Sequence, residues 1–202
     1  MSQWTHLLEN LGIWDGQFQY FSSQGIEIES TPSRVSLEGL ENHQRIRQVV
    51  QMLSTDRQTV VSERVLDYRT LNRSVLVFPS GAFSQGSMQY GPFSEFGAEL
   101  GFISGDRRCR LVQLFDKESN FSKLTLIPEY RQGTDTEDIH RLNARPFRVE
   151  DWLGEWHGTA MTLYADLSPA TEGSVKAHLS REGDRLIEDS HQQGHSTHRQ
   201  WR

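Results

Sequence analysis

From Trp14 to Tyr130 apolar and polar residues alternate with a period of two. This is the pattern of strands that turn one face to a core and the other to water. It predicts strands at 14–21, 32–40, 43–53, 58–68, 74–79, 82–90, 93–103, 107–115 and 121–130. Between them lie Ser22-Ser23-Gln24-Gly25, Pro79-Ser80-Gly81, Gly91-Pro92 and Ser104-Gly105-Asp106, which supply the positive or fixed φ angles that tight turns need. Connections this short favour antiparallel, up-and-down order, and closing such a sheet into a barrel removes its edges. Ahead of the strands, Trp4, Leu7, Leu8 and Leu11 fall at helical spacing after Ser2, a candidate N-cap, and Gly12 ends the helix. That helix either closes one end of a barrel or lies on its outside.

The alternation also assigns faces. In 43–53, Ile46, Val50 and Met52 oppose Arg45 and Arg47, and in 93–103, Phe96, Ala98, Leu100 and Phe102 oppose Glu95 and Glu99. In 107–115, Cys109, Leu111 and Phe115 oppose Arg108 and Arg110, and in 121–130, Leu124 and Leu126 oppose Lys123 and Thr125. The apolar sets are expected inside. Strand 58–68 reads either way, with Val61 and Val65 on one side and Val60, Leu66 and Tyr68 on the other.

Leu11-Gly12-Ile13-Trp14-Asp15-Gly16 returns as Leu153-Gly154-Glu155-Trp156-His157-Gly158, an internal repeat that opens a second run of strands. Residues 1–130 therefore read as one barrel with its helix, and the polar stretch 131–150 as a linker. Strands are expected at 156–165, 174–181 and 185–188. Three strands do not close a barrel, so 151–188 reads as an incomplete second copy. The stretch 189–202 has no apolar residue before Trp201 and is expected to be a disordered tail.

Composition narrows the function. Hydrophobic residues make up 35% of the 202-residue chain and charged residues 24%, with a formal net charge of −6. That balance argues against nucleic-acid binding, which usually shows a basic face. Cys109 stands alone, which excludes an internal disulfide and suits a reducing compartment. No basic, apolar leader opens the chain and no apolar run approaches the ~20 residues of a membrane helix. A soluble, cytoplasmic protein with no membrane span is expected. A Ser-His-Asp order and phosphate-loop, dinucleotide and zinc-protease motifs are absent from the sequence, so no catalytic residue and no cofactor is assigned.

Gly-x-Trp at the start of the first strand, Ser36-Leu37-Glu38-Gly39-Leu40, Phe78-Pro79-Ser80-Gly81-Ala82-Phe83, Pro92-Phe93-Ser94-Glu95-Phe96-Gly97-Ala98-Glu99 and Arg110-Leu111-Val112-Gln113-Leu114-Phe115 together resemble a group of uncharacterised, mainly cyanobacterial and plastid proteins of the calycin superfamily. The resemblance implies an all-β, antiparallel up-and-down lipocalin-like barrel, in tandem copies, with Trp14 plugging the closed end. Distant relatives include the phycobiliprotein lyases, barrels that hand an open-chain tetrapyrrole to a client protein. Their first-strand Arg after the Trp is replaced here by Gln17 and Gln19.

The candidate site follows. A cation packed over Trp14 is expected from Arg131, with Arg110 second. Phe78, Phe83, Tyr90, Phe93, Phe96 and Phe102 would line an apolar interior, which a small barrel either fills with side chains or uses to hold one ligand. Buried amides need partners, so Gln48 and Gln113, with Arg64 and Tyr68, are the expected polar anchors among the walls Met52, Phe96, Phe102 and Phe115. The implied function is binding of a small apolar or amphipathic ligand: a tetrapyrrole, a carotenoid or a lipid-like molecule. The alternatives are a bilin lyase or chaperone acting on a client protein, and a filled barrel serving as a protein-interaction module. Glu95 and Glu99, and the row His43, Arg45 and Arg47, read as outer faces, and Cys109 as a buried, inert thiol. His191, His195 and His198 have the spacing of a helical metal site, but Gly194 and the polar surroundings argue against a helix, so no metal is expected.

Overall fold

The computed structural model describes every residue except 1, 89, 90, 92, 135–147, 165, 167, 193 and 202. Two compact units succeed each other along the chain, Met1–Asp135 and Thr136–Arg202. In the first, the Ser2 hydroxyl accepts from the Thr5 amide at 3.2 Å and caps a short helix, α1 (Gln3–Leu7). A 3-10 turn (Leu8–Asn10) carries the chain into the sheet.

Nine strands follow: β1 (Gly12–Phe21), β2 (Glu27–Leu40), β3 (Arg45–Leu53), β4 (Val60–Tyr68), β5 (Val75–Val77), β6 (Phe83–Gly86), β7 (Phe96–Ser104), β8 (Arg107–Phe115) and β9 (Phe121–Arg131). They form one antiparallel sheet in the order β4-β3-β2-β1-β9-β8-β7-β6-β5. Successive strands pair with each other, and β1 pairs with β9, Trp14 lying opposite Arg131. That junction curls the sheet into an all-β, barrel-like form. Its two edges, β4 and β5, are not hydrogen-bonded to each other.

The closed end is apolar. Leu7, Trp14, Val35, Leu37, Ile46 and Val77 are buried together, with Trp4, Leu8 and Leu11 packed against them. The helix therefore closes one end of the curl and does not lie outside it. Trp14 is 0% exposed and its indole N–H donates to the Asn10 carbonyl at 2.9 Å. Arg131 stacks over its ring with the guanidinium carbon 4.3 Å from the centroid. The second cation is Arg108, at 4.6 Å; Arg110, expected there, lies over Phe18 instead. Gly12 adopts φ +120°, and a Cβ there would sit 2.7 Å from Arg131 Nη1. A side chain at this position would thus strain the turn and displace the cation from the plug.

In the second unit a 3-10 turn (Val149–Trp152) leads into β10 (Gly154–Thr162), β11 (Thr171–Glu182), β12 (Arg185–Gln192) and β13 (His195–Trp201), a four-stranded antiparallel sheet in chain order. Gly154 has φ +116°, and Trp156 Nε1 donates to the Trp152 carbonyl at 2.8 Å, the same local geometry as Gly12 and Trp14. Trp156 faces Ala177 as Trp14 faces Val35, and the register runs on to Ser190 and Thr197 as it does to Val50 and Arg64.

Residues 189–192 and 195–201, expected to be a disordered tail, are the end of β12 and the whole of β13. Gly194 turns between them at φ +82°. Antiparallel pairing satisfies their backbone groups without an apolar side chain at each position, so low hydrophobicity did not prevent a strand. Of the expected linker 131–150, Arg131 ends β9 and Val149 opens the 3-10 turn, while 135–147 lie outside the described residues.

Emptying the plug tests its weight in the first unit. Trp14→Ala should lower the unfolding free energy by about 3–5 kcal/mol, the cost of vacating a large buried aromatic site. Urea denaturation followed by circular dichroism measures this, and a loss below about 1 kcal/mol would contradict it.

Candidate functional site

Inside the curl lies a cavity of about 740 Å³. One wall comes from β3 and β4. Their register sets Ile46 opposite Tyr68, Gln48 opposite Leu66, Val50 opposite Arg64 and Met52 opposite Ser62. Paired residues share a face, so the ambiguous strand is settled: Arg64, Leu66 and Tyr68 face in, while Val61 and Val65 are 69% and 42% exposed on the outside. The Tyr68 hydroxyl donates to Gln48 Oε1 at 3.1 Å. Burial pushes its pKa up to about 12, which keeps the phenol neutral and a hydrogen-bond donor. Val75 on β5 and Phe83 on β6 line the cavity across the open seam.

The opposite wall is ionic. Arg108 grips Glu129 with Nε at 2.7 Å and Nη2 at 3.0 Å. Arg110 grips the same carboxylate with Nε at 2.9 Å and Nη2 at 3.0 Å, and turns its Nη1 to Glu99 at 3.0 Å. The Glu129 side chain is 0% exposed. Burial alone would raise its pKa, but the two guanidiniums outweigh burial and hold it below the usual carboxylate range. Two cations thus meet two anions. Forked geometry offsets a large desolvation cost, and the wall is close to neutral. Arg64 differs. It is exposed at the cavity wall and makes no ion pair or hydrogen bond among the described residues.

Of the eight residues expected around a ligand, Gln48, Met52, Arg64 and Tyr68 line this cavity; Phe96, Phe102, Gln113 and Phe115 do not. The last four point outward. Glu99 pairs with Val112, and Arg110 with Ile127, on the inner face of β7, β8 and β9, which leaves the alternate positions outside. Phe102 is 59% exposed, and Phe96 stacks on Phe115 with ring centroids 4.6 Å apart. The inward placement of the apolar sets in these three strands is therefore reversed: Glu99, Arg108, Arg110, Thr125 and Glu129 face in. Cys109, expected buried, is exposed on the outer face, and of the aromatic set Phe93 is 82% exposed while Tyr90 lies outside the described residues. The missed signal is Arg108 and Arg110 two apart, with Glu129 opposite Arg108 on β9. Such charges stay inside a sheet when they neutralise one another.

The N-terminal domain pattern of the DUF3598 family, a domain of unknown function, matches residues 1–134. The C-terminal domain pattern of "Biogenesis factor required for ATP synthase 1" matches residues 143–200. No curated protein matches the chain. A solved protein of unknown function from the DUF3598 family of Nostoc punctiforme is 36% identical, covering 99% of this chain and 70% of its own, with a TM-score of 0.86. The S-type phycobiliprotein lyase of Guillardia theta is 14% identical over 67% of this chain and 95% of its own, with a TM-score of 0.47.

The ionic wall has a pH signature. Because the folded pKa of Glu129 is depressed, its contribution is fully present above the ordinary carboxylate pKa of about 4.3 and is lost as pH falls through the folded value. Glu129→Gln leaves two buried guanidiniums without their anion and should cost about 3–5 kcal/mol at neutral pH. It should also flatten the acid limb of the stability curve. Chemical denaturation from pH 3 to pH 7 measures both, and an unchanged acid limb in the variant would remove Glu129 as its source.

Proposed function

This chain belongs to the DUF3598 family, and from there we propose that its first unit binds one small amphipathic ligand carrying a carboxylate. The observation that supports this most is Arg64. It is a guanidinium without an ion pair among the described residues, on the wall of a cavity whose buried Arg108 and Arg110 are already neutralised by Glu129 and Glu99. A volume near 740 Å³ falls within the range usual for small-molecule sites. Met52, Leu66, Val50 and Phe83 offer apolar contact, which supplies affinity in proportion to the area removed from water. Tyr68 and Gln48 add an oriented polar pair.

Among tetrapyrroles, carotenoids and lipid-like molecules, the first and last bring acid groups that a free guanidinium recognises. A carotenoid hydrocarbon gives Arg64 nothing to hold. A filled barrel acting only through its surface fits poorly with a cavity of this size. The binding unit we propose is the first compact unit, with Trp14 and Arg131 closing its far end.

Fluorescence titration with a fatty acid, a bilin and their methyl esters tests the reading. Arg64→Leu should weaken binding of the acids about tenfold or more and leave the esters nearly unchanged, the value of a hydrogen bond to a charged group being about 1.5–3 kcal/mol. Equal losses for acid and ester would take Arg64 out of the site, and failure of all four probes to bind the wild type would overturn the ligand-binding role.

A further inference from the structure

The second unit brings a particular set of side chains to one face of its sheet. Across β10 to β13 the register places Glu155, His178, Asp189 and His198 in one row, and His157, Lys176, His191 and Ser196 in the next. Residues paired across a ladder, and those two apart along a strand, share a side. Eight adjoining positions thus hold four of the chain's eight histidines and two carboxylates. All eight residues are exposed, and they border a shallow hollow of about 460 Å³.

The donors are held in pairs. His198 Nδ1 lies 2.7 Å from Asp189 Oδ1, and His191 Nδ1 lies 3.1 Å from the Ser196 hydroxyl. His157 Nε2 is 3.7 Å from Glu155. As the side chains stand, no three donors converge among the described residues. What holds them apart is contact between exposed groups, which change rotamer freely.

We propose that this face takes one divalent transition-metal ion of the zinc type, with Asp189 at the centre and His178, His191 and His198 around it. His178 and His198 flank Asp189 on the neighbouring strands, and His191 lies two residues along from it. Directly opposed Cβ atoms in a sheet are about 4.5–5.5 Å apart and diagonal ones roughly 7–8 Å. Imidazoles at those separations span the distance to a shared ion with metal–nitrogen bonds of about 2.0–2.1 Å. Imidazole with carboxylate is the donor set that zinc-type ions favour over calcium or magnesium. His195 takes no part: it pairs with Gln192 on the opposite face. A helix would have gathered His191, His195 and His198; the strands exchange His195 for His178. Bound there, the ion would tie β11, β12 and β13 together.

The test uses the untagged full chain, stripped with a chelator. Zn²⁺ is titrated by calorimetry and Co²⁺ followed by its visible absorption. One equivalent of Zn²⁺ should bind with micromolar affinity or better and raise the melting midpoint, since an ion that binds only the folded state stabilises it. His198→Ala and Asp189→Asn should each weaken binding by about tenfold or more, as loss of a ligand does, whereas His195→Ala should leave it unchanged. Absence of saturable binding by the wild type would overturn the site. So would equal losses in His195→Ala and His198→Ala, which would mark unspecific capture by a histidine-rich segment.

Discussion

Glu129 holds two guanidiniums on one carboxylate in a place that water does not reach, and much of the first unit answers to that fact. Its partners stand on the neighbouring strand β8, so the pair can form only if β9 and β8 keep their register. Arg108 then does a second task. While gripping Glu129 it lies over the Trp14 ring and reaches the Asn10 side chain at 3.4 Å. The ionic wall and the apolar plug are thus one connected structure, joined through a single side chain. Leaving either buried charge without its partner costs more than the pair gains over an apolar replacement, so the arrangement constrains its neighbours more than it adds to net stability.

The cavity follows from the same constraint. A wall of guanidiniums and carboxylates cannot be covered by aliphatic side chains without stranding polar atoms. The β3–β4 wall opposite carries Gln48, Arg64 and Tyr68 among its apolar residues. Neither side is dry enough to close on the other, and space remains between them. Ile127 is buried among the charges on the inner face, whereas Phe96, Phe102 and Phe115 lie on the outer face, where Phe96 and Phe115 shelter each other by stacking.

The strands of the first unit were legible because period two and turn chemistry act locally, and neither depends on which face is inside. Facing was legible where the usual rule held. Ile46, Val50 and Met52 on β3 turn inward against Arg47 outside. It failed on β7 to β9 because the rule assumes that charge prefers water. Arg108, Arg110 and Glu129 evade that assumption through contacts between strands, which no single strand's pattern displays. The cavity residues Gln48, Met52, Arg64 and Tyr68 all come from the β3–β4 hairpin, where alternation reported facing correctly or left it open. Phe96, Phe102, Gln113 and Phe115 came from the strands where it did not. The end of the chain was misread for a different reason. Scarcity of apolar residues excludes a core, but an exposed hairpin needs only paired backbone and a Gly at the turn.

The two Gly-x-Trp turns separate what a motif sets from what its surroundings set. Gly12 and Gly154 share their left-handed φ, and Trp14 and Trp156 make the same hydrogen bond to the carbonyl four residues back. That much is local, and it recurs in both units. Burial is not local. Trp14 is sealed by α1 and by Arg108 and Arg131, which arrive on β8 and β9, whereas Trp156 stacks on Trp152 and stays 44% exposed beside a sheet of four described strands. A motif of this kind fixes how a strand begins. Whether its ring becomes a plug depends on cations supplied more than ninety residues later in the chain, as Arg108 and Arg131 are for Trp14, and so on closure of the sheet itself.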